Sequence, residues 1–150
     1  MNNKGLILIA DNKENFLRQG GDILLERGYE CQFSENTTKL LKDLKSKTYD
    51  LIIYNLYFDL DQGVRAARQK TNVPIILVTG EADMESAIAA ANSSAMAYFS
   101  YPLDKGLLIK KVNAGLRICM FRKVMSEHQK RLYSVMQVSE KLDEFSKESD

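Results

Sequence analysis

Five short apolar runs punctuate the first hundred residues, and between them the apolar positions switch to helical spacing. The runs are Leu6–Ala10, Glu30–Ser34, residues 50–55, Ile75–Thr79 and Ala97–Ser100. Three of them are continuously apolar, the pattern of strands covered on both faces. The intervening segments read as helices. Residues 15–27 stop at Gly28, a residue suited to the position after a helix end. Residues 38–47 follow Thr37 as cap and carry Leu40, Leu41 and Leu44 on one face. Residues 63–69 and the alanine-rich 83–92 are shorter. Strands alternating with helices predict an α/β fold around a parallel sheet. One feature breaks the pattern: the adjacent Gly20 and Gly21 lie inside the first helix, each costing roughly 1 kcal/mol relative to alanine, with no local reason.

The last third of the chain reads differently. A helix capped by Asp104 is expected from residue 104, and no proline or glycine interrupts the sequence after Gly115. Ile118, Phe121, Met125, His128, Leu132, Val135, Ser139 and Leu142 follow 3-4 spacing, and most are apolar, the pattern of a coiled-coil seam. Glu127 with Arg131, and Asp143 with Lys147, form correctly oriented i,i+4 pairs. A helix over residues 104–147 would be about 65 Å long at 1.5 Å per residue, too long to pack entirely on one small domain. The predicted organisation is therefore one domain followed by a helical extension that needs a partner helix.

Composition narrows the class only a little. Of 150 residues 45% are hydrophobic and 27% charged, within the globular range. The net charge of +1 gives no electrostatic reason to expect nucleic acid or an anionic membrane as partner. No apolar run approaches the ~20 residues that span a bilayer. Cys31 and Cys119 match no metal or redox spacing and read as thiols of a reducing compartment. A soluble cytoplasmic protein is the expectation.

The stretch 50–63, taken with Ile7 to Asn12, resembles the receiver domain of two-component response regulators, and the resemblance covers residues 5–116; it implies a domain over residues 5–118 and a helical extension over 119–147, either a coiled coil or a linker to an output domain. It implies a doubly wound, CheY-like (flavodoxin-like) five-stranded parallel sheet of order 2-1-3-4-5, here with an extended C-terminal helix. It also implies a site at the carboxyl ends of the strands, formed by Asp11, Asn12, Asn55, Thr79 and Tyr101. Receivers carry an acidic doublet after the first strand, a phosphate-accepting aspartate after the third, a hydroxyl after the fourth and a lysine-proline after the fifth. Asp11, Thr79 and Pro102 match this pattern. Asn12 replaces the second acid, Asn55 the acceptor and Tyr101 the lysine. An amide is a poor nucleophile, and a phenol with a pKa near 10 supplies no cation at neutral pH. Magnesium favours carboxylate oxygens, so no cofactor and no metal is expected; Asp11, Asn12, Asn55 and Tyr57 are weak candidate ligands. Glu14, Asp59 and Asp61 are acids on nearby loops. The resemblance further implies a cis Tyr101-Pro102 bond.

Thr79 and Tyr98 match the family's switch pair. A strand-end threonine bonding local backbone and a half-buried strand tyrosine fit the same residues. Receivers dimerise or dock partners through the face of the fourth helix, fifth strand and fifth helix, which assigns Ala87, Ala90, Ala91, Tyr98, Leu107 and Leu108 to an interface. The expectation is a non-enzymatic pseudo-receiver that signals without phosphorylation, through a homodimer and through a histidine kinase or output domain. The alternative is a ligand-sensing switch that binds a small anion or metabolite at the vestigial pocket. A flavin site would need a glycine- or hydroxyl-rich phosphate loop, and residues 11–15 offer none. His128 lacks the sequence context of a phosphotransfer histidine and reads as a seam or surface residue.

Overall fold

The computed structural model describes residues 4–56, 62–80, 83–85, 87–88 and 94–148. The strands are β1 (Leu6–Ala10), β2 (Glu30–Ser34), β3 (Leu51–Asn55), β4 (Ile75–Thr79) and β5 (Ala97–Ser100). All pair in parallel, in the order β2-β1-β3-β4-β5. The apolar runs predict a parallel sheet, and its order is the doubly wound one that the receiver resemblance implies. Its middle strands are buried on both faces, so successive side chains feed two separate cores. Ile7, Ile9, Leu51, Ile53, Ile76 and Val78 join one core. Leu8, Ala10, Ile52, Tyr54, Ile75 and Leu77 join the other. Each fully buried aliphatic side chain contributes about 1.5–3 kcal/mol, and the sheet's centre holds most of them.

The helical segment after β1 is not one regular helix. It runs as α1 (Lys13–Phe16), a π-helical turn (Leu17–Gly21) and α2 (Asp22–Glu26). Here the two glycines find their reason. Gly20 has φ +107°, and a Cβ on it would lie 2.9 Å from the Leu103 carbonyl oxygen. A Cβ on Gly21 would stand 2.2 Å from the buried Phe16 ring. The turn lets the Gln19 carbonyl accept a hydrogen bond from the Leu103 amide at 2.7 Å, which ties the loop after β5 to the first helical segment. π-Turns of this kind recur at functional sites.

Helix α3 (Thr37–Ser46) is capped by Asn36 rather than Thr37, the Asn36 side chain accepting from the Lys39 amide at 2.8 Å. Helix α4 spans Gln62–Lys70. Residues 84, 85, 87 and 88 are helical, while the rest of the expected 83–92 helix lies outside the described residues. Helix α5 (Lys105–Glu148) starts where Asp104 accepts from the Leu107 amide at 3.0 Å. The Tyr101-Pro102 bond is cis, as expected.

One expectation fails on α5. Leu108 has no exposed surface and packs in the first core, so it cannot face a partner. Its neighbours Val112 and Cys119 are buried too, and this i, i+4, i+11 stripe is the face that α5 turns inward. Leu107, on the other side, is 47% exposed.

The chain divides into two compact units, Met1–Cys119 and Met120–Asp150. In the second unit the helical residues up to 147 are solvent-exposed, including large apolar ones such as Phe121, Tyr133 and Phe145. No helix among the described residues is long and apolar enough to cross a membrane.

Candidate functional site

The carboxyl ends of β1, β3 and β4 and the start of the loop after β5 converge on one cavity of about 390 Å3. Asp11, Asn12, Asn55 and Tyr101 line it, as the sequence predicts. Asn15, Gln19 and Gly80 line it as well, and sequence reasoning missed them. Thr79 lies beside the cavity at the end of β4, buried, its carbonyl accepting from the Tyr101 amide at 2.8 Å. Asn55 ends β3 opposite Val78 and is also buried.

Asp11 is the hub. It is 2% exposed, and both its carboxylate oxygens are engaged. The Asn12 amide N–H donates to Oδ1 at 2.7 Å. The Asn15 side-chain amide lies 3.4 Å from each oxygen. The Tyr101 hydroxyl donates to Oδ2 in a short hydrogen bond. The phenol therefore reaches the carboxylate directly. Burial first, then this hydrogen bond, then the Asp11 charge push the Tyr101 pKa well above the ordinary phenol value. Tyr101 thus remains a neutral donor.

Asn12 has a second task. Its side-chain oxygen accepts from the Asn15 amide N–H at 3.1 Å, which makes Asn12 the N-cap of α1. Asn15 is in turn one helical turn beyond Asp11, which is why its amide meets the carboxylate. That i,i+4 relation is the signal by which it was findable.

Magnesium, the metal of the family, fits this arrangement poorly. A magnesium site uses one or two carboxylates with free lone pairs. Among the described residues the cavity offers one carboxylate, whose oxygens already face N–H and O–H donors, and an Asn12 oxygen committed to a helix cap. No group of acids, histidines and cysteines with metal-binding spacing occurs among the described residues. Glu14 is exposed on α1. Tyr57, Asp59 and Asp61, named from the sequence, lie outside the described residues.

The Tyr98 side chain is half-buried against the second core, and its hydroxyl has no hydrogen-bond partner among the described residues. Ala87 is exposed. Ala90 and Ala91 lie outside the described residues.

The parallel order and the cavity at the strand ends define a doubly wound, flavodoxin-like domain with its site at the carboxyl ends of the strands. The family model of the response regulator receiver domain matches residues 7–113. The chain belongs to this family. Among its relatives is response regulator ArlR of Staphylococcus epidermidis, 30% identical over 114 residues that span 74% of this chain and 52% of that protein. Transcriptional regulatory protein GlrR of Escherichia coli is 26% identical, over 73% of this chain and 26% of its own length. The chain thus spans about half the length of the ArlR relatives it matches, and less of GlrR. A two-component response regulator from Clostridium difficile matches with TM-score 0.67 and 28% identity, covering 75% of this chain and 95% of that one. NtrX from Brucella abortus, solved in complex with ADP, matches with TM-score 0.75 at 18% identity, over 85% of this chain and 30% of that one. At that identity the likeness speaks for the fold alone.

Proposed function

We propose that this receiver is a non-enzymatic signalling module that works without phosphorylation, through protein contacts and self-association. The observation that carries the reading is the Tyr101 hydroxyl bonded to Asp11. In a phosphorylatable site that region must hold a metal and a cation to stabilise charge developing on a transferred phosphoryl group. Here a neutral phenol and two asparagines stand there, and the carboxylate is spent on internal hydrogen bonds. Asn55 offers an amide nitrogen and oxygen, which form no stable acyl phosphate under physiological conditions. The pocket then acts as a fixed structural joint between β1, α1 and the loop after β5. Signalling passes to surfaces such as the one bearing Ala87 and Leu107, toward a histidine kinase, an output domain or a second copy. Tyr98 and Thr79 are the residues whose rearrangement would report on such contacts.

The test is incubation of the 1–150 chain with acetyl phosphate and magnesium, followed by intact mass and sedimentation velocity. The reading expects an unchanged mass and an unchanged sedimentation profile. A stoichiometric phosphoryl adduct, or self-association that appears only after treatment, refutes it.

A second reading has its own support. The cavity is within the size range of small-molecule sites and is lined by Asn12, Asn15, Gln19 and Asn55. Their amides can donate to a small anion or metabolite. Thermal stabilisation by such a ligand, lost in an Asn55→Ala variant, is the result that would favour it.

A further inference from the structure

The helix beyond Cys119 carries more apolar surface than one seam uses. The seam expected from the sequence shares Phe121, His128, Val135 and Leu142 with a second one, rotated around the helix. In the second, Val124, Arg131, Val138 and Phe145 replace Ile118, Met125, Leu132 and Ser139. Its apolar members are the more open. Val124, Val138 and Phe145 are 56%, 57% and 71% exposed, against 38%, 39% and 50% for Ile118, Met125 and Leu132. Such a face, within a unit that is a single helix, requires a covering surface.

We propose that the cover is the same helix of a second copy, laid antiparallel along this second seam. The proposal rests on the self-association put forward above and specifies its geometry. Three features of the sequence and structure choose the occupant and the orientation. First, a parallel, in-register pair would set Arg131 against Arg131 inside the seam, where like charges are costly. In the antiparallel pair, Arg131 faces Val135 and His128 faces Val138, while Phe121 meets Phe145 and Val124 meets Leu142. Second, the charge along the helix is polarised. Arg122, Lys123, Lys130 and Arg131 outweigh Glu127 in the first half, whereas beyond residue 139 acidic residues outnumber Lys141 and Lys147. An antiparallel partner sets the basic half of each helix on the acidic half of the other. Third, the positions that flank the seam bring Glu127 of each copy beside Lys141 of the other, twice by symmetry. In the parallel pair Glu127 flanks Leu132 and Lys141 flanks Ser146, with no ionic partner. Both Glu127 and Lys141 are exposed in the single chain, so exchanging them leaves the folded domain intact.

The experiment is sedimentation equilibrium on the full 1–150 chain and on two variants, Glu127→Lys and Lys141→Glu, alone and mixed in equal amounts. Each variant alone places two like-charged pairs across the seam and is expected to associate roughly five- to thirtyfold more weakly than the parent at low salt. The mixture re-forms both pairs as a heterodimer and is expected to regain parental affinity. If the parent self-associates but both variants match it, alone and mixed, the antiparallel geometry is overturned while self-association stands. If the parent stays monomeric at high micromolar concentration, the geometry and the self-association it rests on both fall.

Discussion

The contact that most defines this pocket is the bond between the Tyr101 hydroxyl and Asp11, and it has a measurable worth. Tyr101→Phe removes one oxygen and leaves the ring that packs against the first core. Asp11 is 2% exposed, so water cannot replace the lost donor freely. The donors that remain are the Asn12 amide at 2.7 Å and the Asn15 side chain at 3.4 Å, the latter long for a hydrogen bond. A hydrogen bond to a charged group contributes about 1.5–3 kcal/mol, and with so little substitution available a loss of about 2 kcal/mol is expected. Urea denaturation at neutral pH and fixed protein concentration reads this as a midpoint lowered by about 1 M, at an m-value of about 2 kcal/mol/M. Asp11→Ala and the double variant complete a cycle. The coupling energy between the two positions should be at least about 1 kcal/mol, because each group is the other's partner. A Tyr101→Phe variant within about 0.5 kcal/mol of the parent, with negligible coupling to Asp11, would refute the view that this bond closes the pocket.

Alkaline stability follows from the same bond. Burial, the Asp11 hydrogen bond and the Asp11 charge raise the Tyr101 pKa in the folded protein, so the folded chain holds a proton that the unfolded chain releases near pH ~10. That stability is fully present below about pH 10 and is lost above it, by about 1.4 kcal/mol per pH unit for each such group. Tyr29 and Tyr49, also raised by burial, add to the slope. Urea midpoints between about pH 9 and about pH 11 should fall in the parent and fall less steeply in Tyr101→Phe; equal slopes would count against the assignment. Gly21→Ala should destabilise by about 1–3 kcal/mol through its clash with Phe16, despite alanine's better helix propensity. A higher melting temperature in that variant would show that the ring has room to move. Finally, Asn55→Asp restores a carboxylate at the end of β3, yet with Asn12 and Tyr101 unchanged it should acquire no phosphoryl group from acetyl phosphate and magnesium. Accumulation of the adduct by intact mass would mean that the acceptor alone was missing.

Much of this architecture is written locally. The strands end within a residue of their apolar runs, because a strand buried on both faces leaves no polar position to blur its limits. Asp104 reads as a cap because capping uses only near neighbours. What the sequence hides depends on distant contacts. Gly20 and Gly21 are unintelligible without Leu103 and the Phe16 ring. Leu107 and Leu108 look alike as letters, and only the stripe through Val112 and Cys119 tells which one faces the core. Asn36 and Thr37 compete as caps with similar chemistry, and the bond from the Lys39 amide to the Asn36 side chain decides between them. At the site, Asp11, Asn12, Asn55 and Tyr101 were legible through the receiver resemblance, which assigns roles to the residues after each strand, and they line the cavity. Asn15 enters from α1, one helical turn beyond Asp11, and Gln19 from the π-helical turn that holds the glycine pair.

The most direct test of the central claim is a titration of the 1–150 chain with magnesium and beryllofluoride, a mimic of the phosphoryl group, followed by amide NMR. A pocket closed by Tyr101 on Asp11 predicts no saturable shift at Asn12, Asn55, Thr79 or Tyr98 at millimolar additions. Saturable shifts at those four residues would mean that the site still binds a phosphoryl-like ligand, and signalling without phosphorylation would no longer stand.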